Sequence, residues 1–155
     1  MKKGWTTTKL ITAGGLGVFN LVISLLGAGI SVFTGIPGMS GAINAFLGAI
    51  ITVFAVFLIQ SFGVVTIMYT IFSILALPLP LVGTPGFVPK VLLGFITGVI
   101  IDVTFLFVRK NRVVAAFVIG FLSQYLTGLG IYLMGVFFNI PGIGNLQKFL
   151  LNQGL

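Results

Sequence analysis

The sequence has no cysteine, no histidine and only one acidic residue among its 155 positions. Without cysteine and histidine, the chain cannot build a thiol nucleophile, a haem ligand or a zinc site of the usual nitrogen and sulfur ligands. The single carboxylate, on Asp102, cannot form a two-carboxylate acid–base pair or a cage for a hard metal ion. We therefore expect no catalytic residue, no metal and no cofactor, and we predict that the protein is not an enzyme.

Charge of either sign is scarce, since 6% of the residues are charged and 58% are hydrophobic. A water-soluble domain of this length could not cover its surface with so few charges. The composition therefore predicts an all-α integral membrane protein. The net charge of +7 comes from residues that flank apolar segments, so it indicates membrane topology and contacts with anionic lipids, not nucleic acid as a partner.

The hydropathy pattern predicts one transmembrane domain with five to six helices behind a basic N-terminus at residues 1–9. Five spans cover residues 10–33, 41–59, 64–82, 90–108 and 113–138. Pro78 and Pro80 should distort the last turns of the third span. The remaining segment, residues 143–155, would reach only about 20 Å as a helix, against a hydrocarbon core of about 30 Å. It is either an interfacial helix or a shortened sixth span.

Two groups of positive residues set the predicted orientation. They are Lys2, Lys3 and Lys9 before the first span, and Arg109, Lys110 and Arg112 between the fourth and fifth. Cytoplasmic loops of membrane proteins carry an excess of lysine and arginine, and five alternating spans put both groups on one side. We therefore predict a multi-pass protein of the cell membrane with a cytoplasmic N-terminus and with Lys90 outside.

A Pro-Gly pair recurs at residues 37–38, 85–86 and 141–142, at intervals of 48 and then 56 residues. Each pair lies at the outer end of an odd-numbered span and precedes the next segment, so the chain is predicted to form three helical hairpins with turns outside. One interpretation is ordinary turn chemistry, because membrane hairpins need turns. The other is that three similar turns surround an outward-facing pocket, as in transporters built from repeats.

Small residues at helical spacing indicate close helix packing. They are Ala13, Gly14 and Gly17 on the first span, Gly41, Ala45 and Ala49 on the second, and Gly94 and Gly98 on the fourth. Small side chains let helix backbones approach each other in lipid. Packing within the chain is the favoured interpretation for the second and fourth spans. On the first span, a partner protein could dock at Ala13 and Gly17.

Five polar residues are candidates for binding a small-molecule substrate. Lys90 begins the fourth span beside a Pro-Gly turn, where it could snorkel to the interface or meet an anionic group. Asn44 and Asn139 are expected near the same outer surface. Tyr125 and Tyr132 are seven residues apart and should share one helical face, which suits a ligand that contains a ring.

Asp102 is the one acidic group in a predicted membrane helix, where an ionised side chain costs about 2.5–3.5 kcal/mol at mid-bilayer. Its position in the cytoplasmic half of the fourth span favours a structural role. That role is an ion pair with Arg109 or a hydrogen-bonded anchor. A role in ion or proton coupling is the less favoured alternative, because no histidine or second carboxylate is present to form a relay.

One segment resembles a known family of membrane proteins. It runs Thr84-Pro85-Gly86-Phe87-Val88-Pro89-Lys90 and continues into Gly94-Phe95-Ile96-Thr97-Gly98 and Asp102. This pattern, the chain length and the small residues of the first span are similar to S components, the substrate-binding subunits of energy-coupling factor (ECF) vitamin transporters. The resemblance implies about six helices, capture of a vitamin or related micronutrient from outside, and docking on a transmembrane coupling subunit driven by ATPases. Ala13 and Gly17 would then contact the coupling subunit.

We thus expect a substrate-capture subunit for uptake, and two alternatives stay open. The chain could be an accessory structural subunit of a larger membrane complex. It could also be a small oligomeric channel, with a lumen lined by polar residues such as Asn20, Ser24, Asn44 and Gln60.

Overall fold

A computed structural model of the chain describes residues 4–35, 39–79 and 85–138. These ranges contain five α-helices and no strand. The helices are α1 (Thr7–Thr34), α2 (Met39–Ile59), α3 (Val64–Leu75), α4 (Pro89–Val108) and α5 (Arg112–Phe137). All except α3 are long and apolar enough to cross a membrane, which indicates a multi-pass membrane protein. The predicted boundaries of these four spans agree with the structure to within a few residues.

The third helix is shorter than the sequence predicts. The span was expected over residues 64–82, but α3 ends at Leu75 and is followed by turns. Pro78 explains this end, because a proline has no N–H for the helical ladder and its ring clashes with the carbonyl one turn earlier. With 12 residues, α3 is only about 18 Å long and cannot cross a membrane core of about 30 Å unaided.

The ends of the other helices follow local sequence chemistry. The Thr6 side chain accepts a hydrogen bond from the N–H of Lys9 at the start of α1, and Asn111 accepts from Val113 and Val114 at the start of α5. Such side chains satisfy N–H groups that have no partner within the helix. At the other end of α1, Gly35 adopts φ +65°, a conformation that favours glycine.

The helices form a closed ring. Around the ring α1 contacts α2, α2 contacts α5, α5 contacts α4, α4 contacts α3, and α3 contacts α1 again. The most extensive contact lies between α3 and α4, and a smaller contact joins α2 to α3 across the middle. The predicted arrangement as three hairpins is not established, since residues 36–38 and 139–155, with two of the Pro-Gly pairs and the sixth segment, lie outside the described residues. At the described pair, Gly86 has φ +71° and its N–H donates to the carbonyl of Leu77 at 2.8 Å.

Contacts between chain segments define the two ends of the ring. The indole N–H of Trp5 donates to the Phe62 carbonyl at 3.0 Å, and Lys9 Nζ donates to Ser61 Oγ at 2.6 Å. Gln60 and Arg112 line one cleft. The start of α1, the α2–α3 turn and the α4–α5 loop therefore share one end, which we call the basic end. The opposite end, where α2 and α4 begin, is the far end.

Candidate functional site

A polar layer crosses the middle of the ring. Thr52 on α2 and Tyr69 on α3 are buried, and their hydroxyl oxygens lie 3.0 Å apart. Because the Thr52 hydroxyl donates to the Gly48 carbonyl at 2.8 Å, the Tyr69 hydroxyl is left to donate to Thr52. Ser123 on α5 is fully buried and donates to the Gly120 carbonyl at 2.8 Å. Of these hydrogen bonds, the one between Tyr69 and Thr52 links two helices, in an apolar medium where no water competes for the hydroxyl groups.

Amide side chains extend this layer to α1 and α5. Gln124 donates to Ser123 Oγ at 3.3 Å, and Asn20 is buried on the inner face of α1. Gly48 makes room for both amides, since a Cβ built on it would lie 3.2 Å from Gln124 Nε2 and 3.7 Å from Asn20 Oδ1. Asn20 and Gln124 therefore both lie beside Gly48 of α2.

Two polar atoms nearer the far end have no hydrogen-bond partner among the described residues. They are Asn44 Oδ1 on α2 and Lys90 Nζ on α4, and both atoms are fully covered by protein. The Asn44 oxygen packs against Gly27 of α1, where a Cβ would approach it to 2.6 Å. Buried polar atoms are normally hydrogen-bonded, so each unpaired one calls for an explanation. One acceptor and one cationic donor are thus available to a ligand in the far half of the ring.

Two of the other predicted substrate residues lie on the outside of the ring. Tyr125 and Tyr132 are 56% and 42% exposed, so they lie on the outer surface of α5. Tyr125 stacks on Phe121, with ring centroids 6.1 Å apart, and lines a groove outside the ring. Their spacing predicted a shared helical face, but sequence spacing does not tell which face points inwards. Asn139 lies outside the described residues.

Asp102 caps α3 from the neighbouring helix. Its carboxylate accepts from the N–H of Val65 at 3.2 Å, the N–H of Thr66 at 2.9 Å and the Thr66 hydroxyl at 2.7 Å. The residue at the α3 N-cap is Gly63, which has no side chain to supply this cap. An anion at a helix N-terminus also interacts favourably with the helix dipole. Of the two expected structural roles, Asp102 therefore has that of a hydrogen-bonded anchor. Its hydrogen bonds are with α3, not with Arg109.

Ala13 and Gly17 lie inside the ring. The resemblance implied instead that they form a surface for a coupling subunit. Ala13 has no exposed surface, and Gly17 packs so closely on α3 that a Cβ would lie 2.7 Å from the Met68 carbonyl oxygen. A small-residue pattern serves packing within a chain and between chains equally well, so the sequence could not separate the two. Ala13 and Gly17 therefore have little or no exposed surface in this structure.

Sequence reasoning missed Thr52, Tyr69 and Ser123, the buried hydroxyl groups of the polar layer. Single hydroxyl groups in apolar helices are common, because they can bond to a carbonyl of their own helix, and this makes them uninformative in isolation. A detectable signal was the spacing of Thr52, which lies four residues after Gly48 and seven after Ala45 and so shares the face of α2 that carries small residues.

Comparisons of the chain with protein-family models, curated proteins and solved structures find no match.

Proposed function

We propose that this protein is a membrane-embedded substrate-capture subunit that takes up a small molecule bearing an anionic group. The observation that supports the proposal is the pair of covered polar atoms, Lys90 Nζ and Asn44 Oδ1, which lack hydrogen-bond partners among the described residues. A cation held away from water is costly unless an opposite charge offsets it. The only acidic side chain of the sequence, Asp102, is hydrogen-bonded to α3. No side chain of this protein is therefore left to supply the counter-charge for Lys90.

The proposed ligand has two chemical features. An anionic group would accept from the Lys90 ammonium, and a hydrogen-bond donor would meet the Asn44 carbonyl oxygen. The polar layer of Thr52, Tyr69 and Ser123 lies between these atoms and the basic end, and its hydroxyl groups are already bonded within the protein. A ligand site near the far end, closed towards the basic end by a layer of hydrogen-bonded side chains, suits a protein that receives its ligand from one side.

The direction of uptake and the energy source extend the proposal. If the basic end is cytoplasmic, as the distribution of lysine and arginine favours, the far end receives the ligand from outside the cell. The resemblance of residues 84–102 to S components supports an ATP-driven coupling module as the partner. Such a module would use a surface other than Ala13 and Gly17.

Lys90→Met tests the ligand site, because methionine keeps an unbranched stem and removes the charge. Protein purified in a mild detergent should release a small anionic molecule on denaturation, measured by mass spectrometry. Lys90→Met should reduce the released amount about tenfold or more, since a hydrogen bond to a charged group contributes about 1.5–3 kcal/mol. Ligand-free Lys90→Met protein should also resist unfolding better than the ligand-free wild type, because an unpaired covered cation is gone.

Lys110→Met is the matched control, since Lys110 lies exposed in the α4–α5 loop at the opposite end. It should leave ligand recovery unchanged. Absence of any released molecule from the wild type, together with a stable symmetric oligomer, would contradict substrate capture and favour a channel. Equal recovery from wild type and Lys90→Met would remove Lys90 from the site.

A further inference from the structure

A groove on the outside of the ring runs between α2 and α5. Its volume is about 990 Å³, at the upper end of the range of about 300–1,000 Å³ that is typical of ligand pockets. The floor is made by small residues, and a Cβ on Gly120 of α5 would lie 3.7 Å from Ala49 of α2. Exposed aromatic rings of Phe54, Phe117 and Phe121 stand along its sides. The groove is almost purely apolar and accepts hydrocarbon.

The groove continues into a smaller cleft at the basic end. This cleft has a volume of about 420 Å³ and is lined by Gln60 and Arg112, with Phe57 and Ala116 shared between cleft and groove. On α2 the groove and cleft extend from Ala42 to Gln60, 18 positions or about 27 Å, and on α5 from Arg112 to Tyr125, 13 positions or about 20 Å. One leaflet of a bilayer has a hydrocarbon depth of about 15 Å, plus its head-group region. The feature is therefore long enough to hold the acyl chains and head group of a lipid from one leaflet.

The charge at the cleft has no acidic side chain to neutralise it. The chain has one such side chain, Asp102, and its carboxylate is bonded to Val65 and Thr66. The neighbours of Arg112 in the loop, Arg109 and Lys110, carry the same positive sign. No acidic side chain of this protein is therefore available to Arg112, and a guanidinium is well suited to a phosphate because it presents several N–H donors in one plane.

We propose that the α2–α5 groove and the adjoining cleft bind one anionic phospholipid. Its phosphate accepts from Arg112 and Gln60, and its acyl chains lie against the alanine and phenylalanine side chains of the groove. A phospholipid joins an anion to hydrocarbon chains along the membrane normal, which is the order in which the cleft and groove present their chemistry. This inference is independent of the proposed substrate site, which lies near the far end.

A single tryptophan placed in the groove can report its occupant. The variant Trp5→Phe with Phe117→Trp should be reconstituted in phosphatidylcholine bilayers that contain phosphatidylglycerol with brominated acyl chains, in about 1 M salt. Bromine quenches tryptophan on contact, and the salt reduces the Debye length to about 3 Å, which suppresses general attraction to the basic loop. We expect phosphatidylglycerol to bind about tenfold or more tightly than phosphatidylcholine, as a charge-assisted hydrogen bond predicts.

Four further variants in this background separate the contributions. Arg112→Gln should remove the preference, whereas Lys110→Gln, in the same loop but outside the cleft, should change it less than about twofold under these screened conditions. Arg112→Lys should retain part of the preference, and circular dichroism should show that each variant is folded. Ala49→Phe should reduce quenching by the brominated lipid, because the ring fills the groove.

Three outcomes would overturn the proposal. One is equal binding of the two lipids, and another is an equal loss of preference in Arg112→Gln and Lys110→Gln. The third is an oligomer in which no brominated lipid quenches the introduced tryptophan, because a protein segment would then occupy the groove.

Discussion

Asp102→Ala is expected to lower the free energy of unfolding by about 3 kcal/mol or more. The substitution leaves three donors at the start of α3 without their acceptor, namely two backbone N–H groups and one hydroxyl. Each unsatisfied buried donor costs about 1–3 kcal/mol, and α3 has no side-chain cap of its own at Gly63. Unfolding in mixed micelles with increasing SDS, followed by circular dichroism, measures the change.

The cost of placing an ionised group in the membrane predicts the opposite sign for the change in stability of Asp102→Ala. The experiment therefore separates a structural Asp102 from a non-structural one. Removing an ionised group from an apolar helix eases insertion by about 2.5–3.5 kcal/mol, so a non-structural Asp102 would give a variant as stable as the wild type or more so. Asp102→Asn should fall between wild type and Asp102→Ala, since its carbonyl oxygen still accepts from one donor. Thr66→Val, which removes the hydroxyl alone, should lose about 1 kcal/mol.

Gly98→Ala is expected to destabilise the protein by about 2 kcal/mol or more, although alanine is the better helix former. A Cβ on Gly98 would lie 2.8 Å from the backbone nitrogen of Thr66 and 3.0 Å from the carbonyl carbon of Val65. Backbone cannot rotate away as a side chain can, so α3 and α4 must separate. The separation would also pull Asp102 away from the first turn of α3. The same SDS titration measures the loss.

Gly15→Ala is the matched control, because Gly15 is an exposed glycine within α1 and a Cβ added to it would meet no neighbouring side chain or helix within 4 Å. It should be neutral or stabilising by up to about 1 kcal/mol, the difference in helix propensity between the two residues. Equal effects of Gly98→Ala and Gly15→Ala would show that the close approach of α3 and α4 is not required for stability.

Sequence reasoning predicted most of the helix boundaries because hydropathy and turn chemistry are local properties. Four helices were expected close to where they occur, and Pro78 indicated the weak point of the third. The length of α3 was overestimated because hydrophobicity continues beyond Leu75, whereas proline determines where the helical ladder stops.

The candidate site was less predictable, because contacts between helices depend on how each helix is rotated. Lys90 and Asn44 were expected to be important from their residue type and position, and the structure adds that one polar atom of each is covered and unpaired among the described residues. Tyr125 was expected beside them, yet α5 turns it towards the outer groove. A seven-residue spacing shows that two side chains share a face but not where that face points.

The sequence by itself determined the class of protein and the chemistry it excludes. Scarce charge, long apolar segments and the absence of cysteine and histidine establish these points whatever the packing. Only the tertiary structure decided that the lone Asp102 caps α3, that Ala13 and Gly17 face inwards, and that Arg112 ends an apolar groove. The physical reason is that composition sets the solvent a chain can tolerate, whereas the partner of a polar or small residue is set by helices distant in sequence.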